Sequence, residues 1–353
     1  MKLRAFIILI CCITNAAYSM GVLNKKCNFD AIIFDIGSGA SKSYRYNVDL
    51  CNHELKLGVT DSKVYHVQYQ ECISNSDVAG EIPKSCLLTG EKSVKDFMNY
   101  YDINCKRNVC LGVATAWARN AKNADAVIKL YKKHGIEVEI IDQGQEGILS
   151  FEAAVNVLSN EEKKKALVLD LGGGSHQISY YDEYDNIEIF LGDLGNSNFY
   201  KAVIEHFGKE KLYSNPDGYF DAAILEDVLK YAKLRMGDKL REGIDIEYNA
   251  IYGLGRSIYN YLTANLRLGP DKVSKATLKE MIYEMSNYSQ AEAVERFDLS
   301  AHSFAPYMQV SLIILYTILD GLDLDELNLL SVRMTDSILL QYLEDRSMRR
   351  GYN

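Results

Sequence analysis

The hydrophobic pattern of the chain divides into short runs with the period of strands and longer stretches with the period of helices. Residues 31–34 are continuously apolar and end in Asp35, as a strand covered on both faces does. Residues 41–48 alternate, with Tyr44, Tyr46 and Val48 in phase, and read as the returning arm of a hairpin. Residues 64–70 alternate again and predict another strand, and 91–101 predict a helix. A strand over 108–114, a helix through Lys133 closed by Gly135, and a strand over 136–141 follow. Helical spacing of Ile148, Phe151, Ala154, Val155 and Leu158 predicts a helix over 146–158. Residues 166–170 and 176–181 then repeat the opening strand–glycine turn–strand grammar, with a further strand over 186–191. Helices from Phe199 to Met236, a strand over 249–252, more helices to Leu319, a strand over 327–332 and a C-terminal helix complete the order, with 346–353 expected as a frayed basic tail. A duplicated sheet-and-helix pattern implies two similar α/β lobes with a cleft between them, and a ligand at the carboxyl ends of the central strands.

Composition narrows the class without changing that picture. The chain has 353 residues, 48% hydrophobic and 25% charged, ordinary for a globular protein. A net charge of −9 argues against sequence-independent binding of a nucleic-acid duplex. Such a protein can hold a phosphate chain only by concentrating positive potential locally, through metal ions, Arg side chains and backbone N–H groups. Lys2 and Arg4, the apolar stretch 5–13 and Ala17-Tyr18-Ser19 read as a signal peptide over residues 1–19; a core helix or an uncleaved anchor is the other reading. Residues 310–319 are too short to span a bilayer and read as a buried helix. Beyond Cys11 and Cys12, the six cysteines (27, 51, 72, 86, 105 and 110) suggest disulfides in an exported protein, with the pairing open, or else buried thiols.

The candidate chemistry lies in the turns. Asp35-Ile36-Gly37-Ser38-Gly39 and Asp170-Leu171-Gly172-Gly173-Gly174-Ser175 each place a carboxylate at a strand end, followed by glycines whose N–H groups can grip phosphate. Asp170 would hold a metal, directly or through water, or orient the attacking water. Glu146 sits where a strand passes into a helix; its carboxylate either polarises water or pairs with the helix dipole. Arg119, in Ala114-Thr115-Ala116-Trp117-Ala118-Arg119, either clamps phosphate or is an exposed helix residue, and Thr115 adds a hydroxyl. Gly253-Leu254-Gly255-Arg256 is a third glycine turn, either phosphate-facing or a plain corner. Trp117 reads as packing. His176 is placed either in the cleft or on the surface.

In order and spacing these motifs resemble the Ppx/GppA family, the exopolyphosphatases and guanosine pentaphosphate phosphohydrolases of the actin-like ATPase superfamily. The resemblance implies two actin-like (ribonuclease H-like) lobes with mixed sheets flanked by helices: 20–143, joined by the C-terminal helix 336–353, and 144–335. It implies Glu146 as general base, Asp170 aligning water and Mg2+, Asp35 in the metal site and Arg119 on phosphate. Phosphoryl oxygens would be cradled by Ser38, Gly39, Thr115, Gly172, Gly173, Gly174, Ser175, Gly253, Gly255 and Arg256. The expected ligand is polyphosphate, (p)ppGpp or another phosphorylated nucleotide, and the expected oligomer a homodimer; the leader, not the resemblance, predicts a periplasmic or secreted protein with no membrane span after cleavage, a location unusual for this family. This sequence departs from the family at Arg256 (for Gly), Leu254 (for Thr), Gln145 and Ile148 (for Glu and Arg) and Ala301-His302-Ser303-Phe304. Two further readings stay open. One is an apyrase-like nucleotidase, since apyrases have a Gln-Glu-Gly loop like Gln145-Glu146-Gly147 but a second motif unlike 114–123. The other is a binding protein without turnover.

Overall fold

The computed structural model describes residues 28–50, 56–215, 217–297 and 302–350. The expected leader over 1–19, and Cys27 and Cys51, lie outside the described residues. The first sheet runs β3-β2-β1-β4-β5, from β1 (Asn28–Ile36), β2 (Ser41–Asp49), β3 (Lys56–Tyr65), β4 (Val109–Ala114) and β5 (Glu137–Ile140). The second runs β10-β11-β9-β6-β7-β8, from β6 (Ala166–Leu171), β7 (His176–Tyr181), β8 (Ile187–Gly192), β9 (Ala250–Gly253), β10 (Lys272–Ser274) and β11 (Glu326–Leu329). In both, an antiparallel three-strand meander is extended by parallel strands on the side of its first strand. The duplication written in the glycine turns is therefore also a duplication of topology, with β10 as an extra edge. The fold is α/β, with two mixed sheets flanked by helices.

Helices α1 (Tyr69–Ser74), α2 (Lys84–Tyr101), α3 (Ala116–Asn120), α4 (Ala124–Lys133) and α5 (Gln143–Val155) follow or precede these strands. The apolar core on one face of the first sheet gathers Phe34, Phe97, Trp117 and Tyr131. On the other face, Leu339 and Leu343 of the helix Met334–Arg350 pack against Ala31, Ile33 and Tyr46. The helix Met308–Gly321 is buried over most of its length against the second sheet's helices. Among the described residues no helix is long and apolar enough to cross a membrane.

Four expectations about elements are corrected. The alternation of 64–70 outlasts its strand: β3 ends at Tyr65, and Tyr69 opens α1 while stacking on Trp117 at 4.4 Å. The helix expected through Lys133 is broken after Asn120. Asn123 gives its side chain to Ile82, accepting from Ile82 N (2.8 Å) and donating to Ile82 O (3.0 Å), so the chain leaves the helix to dock that loop. The late strand stops at Leu329, and the C-terminal helix continues through Arg350 in place of a frayed tail. Gly135 does follow its helix with φ +84°, where a side chain would be strained.

Among the described residues two disulfides are present, Cys72–Cys86 and Cys105–Cys110. The first joins α1 to α2 across a separation of 14 residues. Replacing Cys72 and Cys86 with Ser is expected to cost about 3 kcal/mol, through the loop entropy released to the unfolded chain. Urea unfolding of oxidised and variant protein checks this; equal midpoints would contradict it.

Candidate active site

The two glycine turns are built alike. Gly37 N donates to Ala40 O (3.0 Å) and Gly172 N donates to Ser175 O (2.9 Å), so each hairpin closes over four residues and leaves the other N–H groups of the turn for a ligand. The turns come together across the lobes. A Cβ on Gly173 would stand 3.9 Å from Ser38 Cβ, and one on Gly174 would stand 3.5 Å from Ala116 Cβ. Both turns line one cavity of about 460 Å³, with Glu146, Thr115, Gly255 and Arg256 in its wall. In the same wall Lys201 Nζ donates to Ser74 Oγ at 3.3 Å, tying the helix Asn196–Phe207 to α1.

Hairpin register sets what faces each carboxylate. Asp35 pairs with Lys42 across β1 and β2, and Lys42 Nζ donates to Asp35 Oδ2 at 2.8 Å. Burial opposes the Lys42 charge, but Asp35 outweighs it and raises the ammonium above its usual range. In the second hairpin Gln177 takes the corresponding place opposite Asp170. Asp170 Oδ2 instead accepts from Ser150 Oγ at 2.6 Å, and burial pushes the Asp170 carboxyl above its ordinary value.

Glu146 owes its position to the start of α5. Asp142 caps the helix by accepting from Gln145 N at 2.8 Å, and Gln145 Oε1 accepts from Asp142 N at 2.8 Å. Gln145, which departs from the family pattern, is thus the reciprocal half of a capping box. Glu146 follows in the first turn and is buried. Burial lifts its carboxyl to about 7; the Arg119 guanidinium pulls it down and the Asp170 carboxylate adds to the rise. Arg119 Nη2 donates to Glu146 Oε2 (3.2 Å) and Nη1 to Ile141 O (2.7 Å).

Most of the expected site residues meet in this cavity: Asp35, Ser38, Gly39, Thr115, Glu146, Asp170, Gly172, Gly173, Gly174, Ser175, Gly255 and Arg256. Three are placed differently. Arg119 stands behind Glu146, with its fork spent on Glu146 and Ile141, and is absent from the cavity wall. Gly253 is the last residue of β9, where an added Cβ would meet Ile258 Cγ2 at 2.7 Å; it is glycine for packing, and the turn proper is Leu254-Gly255-Arg256. His176 is neither in the cleft nor on the surface: it is buried, with Nδ1 2.7 Å from Leu194 O. Trp117 is buried as expected, donating Nε1 to Ile36 O at 2.6 Å.

Sequence reasoning left Ser150, Lys42, Tyr44, His66 and Arg333 without a role, yet all but Ser150 line the cavity. Lys42 was accessible from hairpin register, and Ser150 from its four-residue offset on the Glu146 helix. Arg333, whose guanidinium lies 5.1 Å from the Tyr44 ring, follows β11 and carries no local signal. Arg256 acts electrostatically on Lys42, Tyr44 and His66, and with Lys42, Lys201 and Arg333 it is one of the cationic side chains in the cavity wall.

Among the described residues no three His, Cys, Asp or Glu side chains are gathered closely enough to hold a metal by themselves. Asp35 and Asp170 have their Oδ2 atoms engaged by Lys42 and Ser150, while each Oδ1 lies 3.7 Å from where a Cβ on Gly37 or Gly255 would stand. Two carboxylates at the mouth of phosphate-sized turns suit a hard divalent cation that keeps waters and takes its other ligands from phosphate.

Comparison with known proteins gives the same picture. A Ppx/GppA family member from Aquifex aeolicus is 17% identical over 90% of this chain and 99% of its own, with a TM-score of 0.67. An exopolyphosphatase from Cytophaga hutchinsonii is 14% identical over 90% of this chain and 98% of its own, with a TM-score of 0.69. At such identity these likenesses establish the two-lobed actin-like fold. No curated protein matches the chain. The sequence model of the Ppx/GppA phosphatase family matches residues 77–343, from just before α2 into the helix after β11, taking in Arg119, Glu146, Asp170 and the Gly255 turn. The chain therefore belongs to the Ppx/GppA phosphatase family, enzymes that hydrolyse phosphoanhydride bonds.

Proposed function

We propose that the protein is an exported hydrolase that removes the terminal phosphate of polyphosphate or of a phosphorylated nucleotide, with Mg2+ at Asp35 and Asp170. The observation that supports it most is the convergence of both glycine turns and the buried Glu146 on one cavity. Glu146 accepts a proton from water as the water oxygen bonds to the terminal phosphorus. The bridging P–O bond breaks, and its electron pair leaves with the shortened chain. N–H groups of Ser38–Gly39 and Gly173–Ser175 hold phosphoryl oxygens, and Lys42, Arg256 and Arg333 neutralise charge along the chain. Mg2+ held by Asp35 and Asp170 would offset the negative charge of the phosphate oxygens. Arg119 keeps Glu146 oriented through its two-point contact. Export is supported by the two disulfides.

Phosphate release by the purified mature protein tests this, with polyphosphates, (p)ppGpp and nucleoside tri- and diphosphates, each with and without Mg2+. Magnesium-dependent release from any of these is expected. Release confined to nucleoside di- and triphosphates would assign the apyrase-like activity, and tight binding without release under any divalent metal would leave only the binding-protein reading.

A further inference from the structure

We infer that Ser150 is a positioning residue that sets the Asp170 carboxylate in register with Glu146; this rests on the reading of Asp170 as part of the metal and water site. The hydroxyl of a mid-helix serine ordinarily returns to the carbonyl four residues back on its own helix. Ser150 is buried in the middle of α5, and its hydroxyl donates to Asp170 Oδ2 at the end of β6, at 2.6 Å. With Oδ2 held, the carboxylate cannot rotate freely, and Oδ1 is the oxygen on the side of the Gly255 turn.

The helix makes this a coupling device. Glu146 and Ser150 are four residues apart, so they share one face of α5. The base and the group that fixes Asp170 therefore move as one body. That body is held from two other directions: Ser179 Oγ donates to Gly147 O at 3.1 Å, and Ser337 Oγ donates to Leu149 O at 2.7 Å. Serine donors from β7 and from the C-terminal helix thus fix the axial position of α5. Ser150 transmits that position to the strand end where the phosphate turn begins.

The test is a double-mutant cycle in the mature protein with Ser150→Ala, Asp170→Asn and the double variant, alongside Ser150→Thr. The readouts are kcat, KM, and Mn2+ affinity by titration calorimetry without substrate, with circular dichroism to establish folding. Ser150→Ala is expected to lower kcat and Mn2+ affinity by about 10–100-fold, as loss of a partner to a metal-binding carboxylate does. KM for substrate stays near wild type, and Ser150→Thr, which keeps the hydroxyl, recovers most of the Mn2+ affinity. In the Asp170→Asn background the Ser150→Ala loss disappears, because the group it positions is gone. Wild-type behaviour of Ser150→Ala beside an impaired Asp170→Asn, or additive losses in the double variant, would overturn the positioning role alone. Wild-type behaviour of Asp170→Asn would overturn the reading of Asp170 itself, and the inference with it.

Discussion

Glu146→Gln is expected to lower turnover by about 10²–10⁴ and, above neutral pH, to leave a more stable protein than wild type. Both effects have one cause. Burial lifts the Glu146 carboxyl to about 7, so the folded protein holds this proton more tightly than the unfolded chain does. The stability this provides is full below the ordinary Glu range, falls as pH rises, and is lost above about 7. The buried charge then costs on the order of 3 kcal/mol, which a neutral Gln avoids while still accepting from Arg119. The same value suits the proposed chemistry, because a base near the working pH is deprotonated and still a competent proton acceptor. Wild-type kcat/KM should therefore rise with pH to a plateau above about 7. A pH series of kcat/KM and of melting temperature for both proteins checks this. Wild-type turnover in folded Glu146→Gln would remove Glu146 from the role of base.

Arg119→Gln is expected to move the pH profile of kcat upward by about 1–3 units, the range for losing an adjacent guanidinium. Arg119 opposes the effect of burial on Glu146, so its removal leaves desolvation and the Asp170 carboxylate to raise that carboxyl further. At pH 7 most of the base would then be protonated and turnover correspondingly low, with much of it recovered at higher pH. Arg119→Lys should rescue little, because an ammonium is not a planar fork able to reach Ile141 O and Glu146 Oε2 together. A phosphate clamp would behave otherwise: KM would rise at every pH, and alkaline conditions would restore nothing. Full pH profiles of kcat and KM separate the two roles of Arg119.

Much of the scaffold was legible because its signals are local. A continuous apolar run ending in Asp and glycine marks a buried strand and a tight turn wherever it occurs, and it occurs at Asp35 and at Asp170. Glycines at closely approached backbone leave a mark in sequence, and so does the strand-to-helix junction that carries Glu146. Errors arose where a distant partner outweighed the local pattern. Val67 and Tyr69 continue the alternation of β3 because they bury in the core, yet Gln70 N donates to Ser38 O, and that bond takes the chain into α1 beside the first turn. Asn123 reads as one more residue of a helix until Ile82 claims its amide.

Local pattern along the chain establishes two copies of one strand–turn–strand unit, each with a carboxylate at the end of its first strand, and a glutamate at a helix start between them. Backbone sterics and hydrophobic period depend on neighbours a few residues away, so these features can be read along the chain. Packing between elements is what puts Arg119 behind Glu146 instead of in the cavity wall, closes neighbours around Gly253 and His176, sets Lys42 and Ser150 on the carboxylates of Asp35 and Asp170, and brings Arg333 over the Tyr44 ring. Those assignments depend on which side chains from separate elements come within about 3–5 Å of one another, the range over which hydrogen bonds and charge pairs act once water is excluded. That distance is set by how the sheets and helices pack against each other.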